Sequence, residues 1–405
     1  MVVEGAPERY SLPPTPSVAA AVPEDENLLR IAAQVFMVSL TCALVVMPGC
    51  IKLARLLGVV DKPGGRKRHA HVTPLLGGLG VVLACSVGYL VLRYLLDTQW
   101  IDDLGFPDIG HVVAGSLVLF AIGLVDDVFK DSMGFEPKLL GQVIGVGILM
   151  WPGLQGLWNN PELGFAAWMY QLFFLCWYLT IVNSFNFSDN MNGLMSGLSI
   201  IALSAAIMYL QDTSSTRTQL VAVILVGALV GFLPYNFPRS RIFLGDAGSM
   251  FIGFWMAWIQ FSLIEGFMGV RTGDLGANHL VPAVLIMGIP LFDAAFVVLM
   301  RLVQRRPVYL GDDQHLSHRL VRGGFTPAEA VIILWGLGCI LAFLGILASN
   351  AEGEYRYLII SASCLFLAAV TRKVMLLERA HTEYLGGRRA DAHPGEFSDG
   401  EGLSP

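Results

Sequence analysis

This chain is short of charge. Only 14% of its 405 residues are Asp, Glu, Lys or Arg, while 55% are hydrophobic and mean hydropathy is +0.62. That balance excludes a soluble globule and points to a polytopic membrane protein. The six cysteines include no Cys-x-x-Cys pair and all lie in apolar stretches, so they read as small buried hydrophobes. No internal repeat is visible, which counts against a transporter built from inverted halves. The N-terminus lacks the basic start of a signal peptide. Net charge is −6, and no nucleic-acid partner is expected.

What the chain has in quantity is apolar length. Eleven spans lie near the ~20 residues that cross hydrocarbon, roughly at 30–52, 75–96, 110–128, 138–152, 166–184, 193–211, 218–236, 249–268, 279–302, 327–349 and 354–375. The fourth is short and Gly-rich, so a tilted or broken helix is expected there. The predicted fold is all-α, with about eleven transmembrane helices in a domain at 29–378. Residues 1–28, rich in Pro, Ala and Glu, and the tail 379–405, rich in Gly, Asp and Glu, read as disordered.

Orientation follows Lys and Arg in short loops rather than net charge. With the N-terminus outside, 20 of the 26 Lys and Arg residues fall inside. An odd number of spans then leaves the C-terminus inside too. Every polar cluster described next falls on the cytoplasmic face under this one assignment.

Intramembrane and membrane-edge polar groups are expensive and usually functional. The densest group is Asn183-Ser-Phe-Asn186-Phe-Ser-Asp189-Asn190-Met-Asn192-Gly193-Leu194, between two very apolar stretches. Asn183, Asn186 and Asp189 are spaced by three, so on a helix they share one broad face. Amides there offer oxygen to Mg²⁺ or read a nucleobase edge. The plainer reading of Asn190, Asn192 and Gly193 is a turn into the next helix.

Four further loops share this placement. Asp61 to Gly78 carries Arg66, Lys67, Arg68, His69 and His71 before a Gly-rich helix start, which suits phosphate binding or, more plainly, anionic lipid. Asp126-Asp127 ends an apolar run, with Lys138 and Gln142 following. Adjacent carboxylates point about 100° apart on a helix, and beside apolar neighbours each needs a cation. Phe243-Leu-Gly245-Asp246-Ala-Gly248-Ser249 opens another span, where Asp246 is a ligand or a simple helix cap. Last, His315-Leu-Ser317-His318-Arg319 sets imidazoles at i and i+3 beside a guanidinium, suited to a diphosphate. Zinc is disfavoured, because no Cys is near and the other sites offer oxygen. Asp293, alone inside the ninth span, reads equally as a helper of the site or a satisfied structural acid.

Taken in order, these loops resemble the polyprenyl-phosphate N-acetylhexosamine-1-phosphate transferases of glycosyltransferase family 4. The matching motifs are Arg66-Lys67-x-His69 with Pro74 and Gly77-Gly78; Asp126-Asp127 with Lys138-Leu139 and Gln142; Asn183-x-x-Asn186-x-x-Asp189 with Gly193-Leu194; Phe243-Leu-Gly-Asp246-Ala-Gly-Ser249; and His315-x-x-His318-Arg319. They span about residues 50–325. The resemblance implies an enzyme of the bacterial inner membrane that moves a sugar-1-phosphate from a UDP-sugar to undecaprenyl phosphate with Mg²⁺ or Mn²⁺. Its partners are those two substrates and the bilayer, with a homodimer left open. Two departures stand out. Asn192 replaces the commoner Asp of Asp-Gly-x-Asp-Gly-Leu, and Ser317 replaces a histidine of the last motif. The pattern sits closer to the UDP-N-acetylglucosamine branch than to the pentapeptide-sugar branch of peptidoglycan synthesis.

The resemblance also implies roles. Asp246 is the first choice of metal ligand, with Asn183, Asp127 and Asp189 as helpers. Asp126 orients or deprotonates the lipid phosphate. Lys67, His315, His318 and Arg319 hold the diphosphate, and His69 and Lys138 are further substrate contacts. Asn186, Asn192 and Asp189 are candidates for reading uridine. The rival from another class, a secondary transporter of an anionic metabolite, predicts ionisable residues deep within spans and paired broken helices.

Overall fold

The computed structural model describes residues 25–62, 72–95, 109–129, 133–159, 164–210, 216–265, 280–307, 314–351 and 353–391. Thirteen helices account for nearly all of it: α1 (Asp25–Leu57), α2 (Gly77–Leu95), α3 (Ile109–Val128), α4 (Phe135–Asn159), α5 (Gly164–Ser188), α6 (Leu194–Tyr209), α7 (Thr216–Asn236), α8 (Gly245–Glu265), α9 (Leu280–Ile286), α10 (Gly288–Val303), α11 (Leu316–Arg322), α12 (Pro327–Asn350) and α13 (Gly353–Asp391). Between α1 and α2, β1 (Val60–Asp61) and β2 (Thr73–Pro74) form a two-residue antiparallel ladder. Residues 63–71, Lys67 and His69 among them, lie outside the described residues, as do 1–24 and Asp312-Asp313. The helix α13 continues past residue 378, where the sequence alone suggests a disordered tail.

Among the described residues, eight helices are long and apolar enough to cross a membrane, or nine if α9 and α10 count as one span. This is fewer than the eleven spans expected, for local reasons. The 25-residue α5 draws its apolar surface from rings such as Phe165, Trp168, Phe173 and Trp177, and it also carries Gln171, Asn183 and Asn186. The helix α6 has only 16 residues. The α9–α10 pair is bent by 84° at Met287, where Gly288 and Pro290 interrupt the helical ladder.

The centre of the bundle is α8. Every residue in its apolar window is buried inside the protein, and α2, α3, α5 and α6 pack around it. In a membrane this cohesion comes from close packing and hydrogen bonds, because lipid is as apolar as the core. Close approach is literal at Gly78, the second residue of α2, where a Cβ would lie 2.3 Å from the Gly248 nitrogen. Gly77 and Gly78 donate their N–H groups to the Phe243 and Leu244 carbonyls at 3.0 and 2.8 Å. The Gly-Gly pair therefore seats the start of α2 on the segment leading into α8. A local signal accounts for α12: Thr326 and Glu329 form a reciprocal capping box ahead of its apolar run.

Candidate active site

Four helix ends meet at one place. The last turn of α3 brings Asp126 and Asp127, the first turn of α4 brings Lys138, the last turns of α5 bring Asn183 and Asn186, and the first turn of α8 brings Asp246. The Lys138 ammonium lies between two carboxylates, 2.7 Å from Asp126 Oδ2 and bonded to Asp246 Oδ2. Asn186 Nδ2 donates to the other Asp246 oxygen at 3.1 Å and to Ser249 Oγ at 2.8 Å. Asp126, Asp246, Lys138 and Asn186 thus form one continuous polar network.

Asp127 faces another way. Its two oxygens accept the backbone N–H groups of Asp246 and Ala247 at 2.9 and 3.0 Å. A carboxylate there satisfies free donors at the start of α8 and meets the positive end of its dipole. The cap of α8 therefore comes from a different helix, and the Asp246 side chain remains available to Lys138 and Asn186.

Asn183 and Gln142 exchange amide hydrogen bonds at 2.7 and 3.3 Å, and Asn183 also donates to Leu179 O. Asn183 thus braces α5 against α4, while Asn186, one turn on, reaches Asp246. Asp189 lies just beyond the end of α5 and is half-buried. Burial, followed by the nearby Asp246 and Asp127 charges, pushes its carboxyl well above the usual carboxylate range. A cluster of acids with one ammonium among them is short of positive charge.

The histidine loop meets the end of α5. Ser317 Oγ donates to Asn190 Oδ1 at 2.7 Å, and the His315 ring lies 6.3 Å from that of Phe187. Arg319 is turned elsewhere. Its guanidinium donates to Glu378 on α13 at 2.8 Å and to both the backbone and side chain of Gln314, and it lies over the Phe296 ring. Arg322 donates to the other Glu378 oxygen at 2.6 Å. Together these bonds clasp α11 to α13. Asn192 donates to Pro238 O at an exposed 3.3 Å, which sets it beside the loop before α8 and apart from the carboxylates.

Two structural contributors escape a reading of sequence alone. Asn236 is 2% exposed; it accepts from Gly193 N–H at 2.6 Å and donates to Ile242 O at 3.0 Å, so it locks the Asn192 turn to the segment before α8. An amide closing an apolar run between Pro234 and Pro238 is the signal that could have found it. Glu378 carries no such signal, because its partners lie more than fifty residues away.

Among the described residues no group of three or more His, Cys, Asp or Glu side chains is arranged to hold a metal ion. The donors that do converge are hard carboxylate oxygens from Asp126 and Asp246, and they already meet on a cation, the Lys138 ammonium. Such a donor set suits Mg²⁺ or Mn²⁺ rather than a soft metal.

Residues 109–264, from the start of α3 almost to the end of α8, match the family described as "Glycosyl transferase family 4". That stretch contains the whole carboxylate–lysine–amide network. Through this segment the chain is similar to glycosyl transferase family 4. Curated relatives extend the likeness beyond this segment. The "Undecaprenyl-phosphate alpha-N-acetylglucosaminyl 1-phosphate transferase" of Escherichia coli (strain K12) is 29% identical over 330 residues, 78% of this chain and 84% of the relative. The "Probable undecaprenyl-phosphate N-acetylglucosaminyl 1-phosphate transferase" of Bacillus subtilis (strain 168) is 27% identical over 334 residues, 81% and 87% of the two chains. The "Decaprenyl-phosphate N-acetylglucosaminephosphotransferase" of Mycobacterium tuberculosis (strain ATCC 25618 / H37Rv) is 28% identical over 354 residues, 82% and 86%. By homology over about four fifths of its length, this chain is a sugar-1-phosphate transferase.

Proposed function

We propose that this chain transfers N-acetylglucosamine 1-phosphate from UDP-N-acetylglucosamine to undecaprenyl phosphate and releases UMP. The observation that carries the reading is the Asp126–Lys138–Asp246–Asn186 network at the meeting of four helix ends, inside the family-matched segment. Relatives named for this transfer, aligned over about four fifths of the chain, support the choice of sugar and lipid.

The reaction is a displacement at phosphorus. An oxygen of the lipid phosphate forms a bond to the sugar-side phosphorus of the UDP-sugar. The bond from that phosphorus to the bridging oxygen breaks, and UMP leaves with the electron pair. Both reactants are anionic, so the site must hold them in line and screen their repulsion. Asp126 orients the lipid phosphate and takes its proton where one is present. A phosphomonoester has its second pKa near 6, so a weak base suffices. Lys138, between Asp126 and Asp246, lies within reach of both reacting groups and supplies positive charge to the diphosphate. His315 and His318 serve the same diphosphate, and Lys67 and His69 keep their expected roles as diphosphate and substrate contacts. Asn186, Asp189 and Asn192 face the nucleoside. Arg319 holds α11 in place through Glu378 and Gln314.

Asp246, with Asp126 and Asp189, would hold Mg²⁺ or Mn²⁺, with Asn183 and Asp127 in support. A bound divalent cation would screen the phosphates and stabilise charge on the transferring group. The charge asymmetry of the loops supports an N-out, C-in chain in the bacterial inner membrane, with this site at the cytoplasmic face.

The test is direct. Purified protein in detergent or nanodiscs, given undecaprenyl phosphate, Mg²⁺ and UDP-N-acetylglucosamine, should release UMP and form a lipid-linked sugar diphosphate. Turnover with the UDP-muramoyl-pentapeptide substrate instead would move the chain to the peptidoglycan branch. Lack of turnover with every UDP-sugar offered would remove the reading.

A further inference from the structure

We propose that Asp293 is a positioning residue for His315, deciding which imidazole nitrogen is presented to the anionic substrate. The inference rests on the transferase reading above. Asp293 lies on α10, just past the break at Gly288 and Pro290, and is 6% exposed. One of its oxygens accepts the Leu316 backbone N–H at 2.7 Å, and the other lies 2.7 Å from His315 Nδ1.

An ionised carboxylate can only accept, so the hydrogen in the second contact belongs to Nδ1. Nδ1 is thereby committed, and Nε2 is the nitrogen left for an incoming group. No described residue bonds Nε2. The ring sits 6.3 Å from Phe187 and 6.3 Å from His318. Phe187 follows Asn186, the amide that binds Asp246, so His315 packs against the last turn of the helix that carries this amide. A neutral ring held in this way offers a lone pair at Nε2, and a protonated ring offers N–H there. Without Asp293 the ring would be free to exchange tautomers, and the acting nitrogen would no longer be set.

Burial and helix length point the same way. A carboxylate among apolar helices is costly unless its oxygens are satisfied, and both are. The seven residues of α11 cannot order themselves in isolation. Asp293 meets that helix at its first N–H and at the ring just before it, so one side chain seats the helix and also fixes the histidine. A purely structural acid would do only the first of these.

Asp293→Asn separates the two jobs. Its Oδ1 can still accept from Leu316, but its amide nitrogen now faces Nδ1 and favours the opposite tautomer. We expect kcat/KM for UDP-N-acetylglucosamine to fall about 10–100-fold, with a thermal midpoint close to wild type. In a His315→Gln background the same change should cost nothing further. Asp293→Glu, which keeps an acceptor for the ring, should retain more activity than Asp293→Asn. Wild-type kinetics in Asp293→Asn, an additive loss in the double variant, or a better Asn than Glu variant would each overturn the assignment. A readout independent of turnover is the ¹⁵N spectrum of histidine-labelled full chain, with His315 assigned by its loss in His315→Gln. Wild type should show a protonated Nδ1 that is lost in Asp293→Asn, and a ring protonated only at Nε2 in wild type would overturn the inference. An inactive wild type with the expected spectrum would instead count against the transferase reading alone.

Discussion

Asp127, at the end of α3, caps the helix that Asp246 begins. Two oxygens on two consecutive N–H groups, at 2.9 and 3.0 Å, join segments 119 and 120 residues apart. This contact leaves the Asp246 side chain facing Lys138 and Asn186, and it divides the labour of two adjacent carboxylates: Asp127 builds the site and Asp126 lines it.

Asp127→Ala removes both bonds and the charge at the start of α8. The expected loss is about 1–2 kcal/mol, the range for a lost N-cap and its dipole contact. Asp127→Asn keeps one acceptor and should lose less. Thermal melts of the three proteins in one detergent will rank them, and identical midpoints would show that the cap is dispensable.

Gly245 has φ of +75°, and a Cβ there would lie 2.5 Å from Asp127 Oδ2 and 2.8 Å from Leu75 O. Gly245→Ala therefore meets left-handed strain of about 1–2 kcal/mol and also displaces the capping carboxylate. Both stability and UMP release should drop. An alanine variant with wild-type melting and turnover would contradict the close approach.

Lys138→Met leaves Asp126 and Asp246 facing each other without the ammonium between them. A loss of about 1–3 kcal/mol is expected, below the full value for a broken buried pair because the groups are partly exposed. Added Mg²⁺ should raise the variant's melting temperature more than the wild type's, since a cation then enters a place the lysine holds. EDTA should abolish turnover in wild type, and Mg²⁺ or Mn²⁺ should restore it. Full turnover in metal-free buffer would remove the proposed role of Asp246.

Asn192 is one of the two departures of this chain from the motif pattern it resembles. Its bond to Pro238 O is exposed and 3.3 Å long, so Asn192→Asp should change stability by less than about 0.5 kcal/mol. If the amide reads uracil, KM for the UDP-sugar and discrimination among nucleotide sugars should both shift. Constants unchanged on both counts would leave Asn192 as a turn residue.

The proposed orientation, with the N-terminus outside, puts α11 at the cytoplasmic face. A reporter fused after Arg322 should behave as cytoplasmic, and a periplasmic signal at that position would put the whole site on the other side.

Much of this was legible in the chain itself. Apolar runs of about 20 residues locate helices because each segment must satisfy its own backbone in lipid. A spacing of three put Asn183 and Asn186 on one helix with Asp189 at its end. These signals act over one or two turns, so composition and spacing carry them. Span number was less legible, because α6 is short and a break at Met287 divides one apolar run in two. The division between Asp126 and Asp127, the capping of α8 from another helix, the clasp of Arg319 on Glu378 and the pairing of Asp293 with His315 were decided by tertiary structure alone. Each joins side chains twenty to more than a hundred residues apart, and only the packing of helices around α8 brings such groups within hydrogen-bond reach.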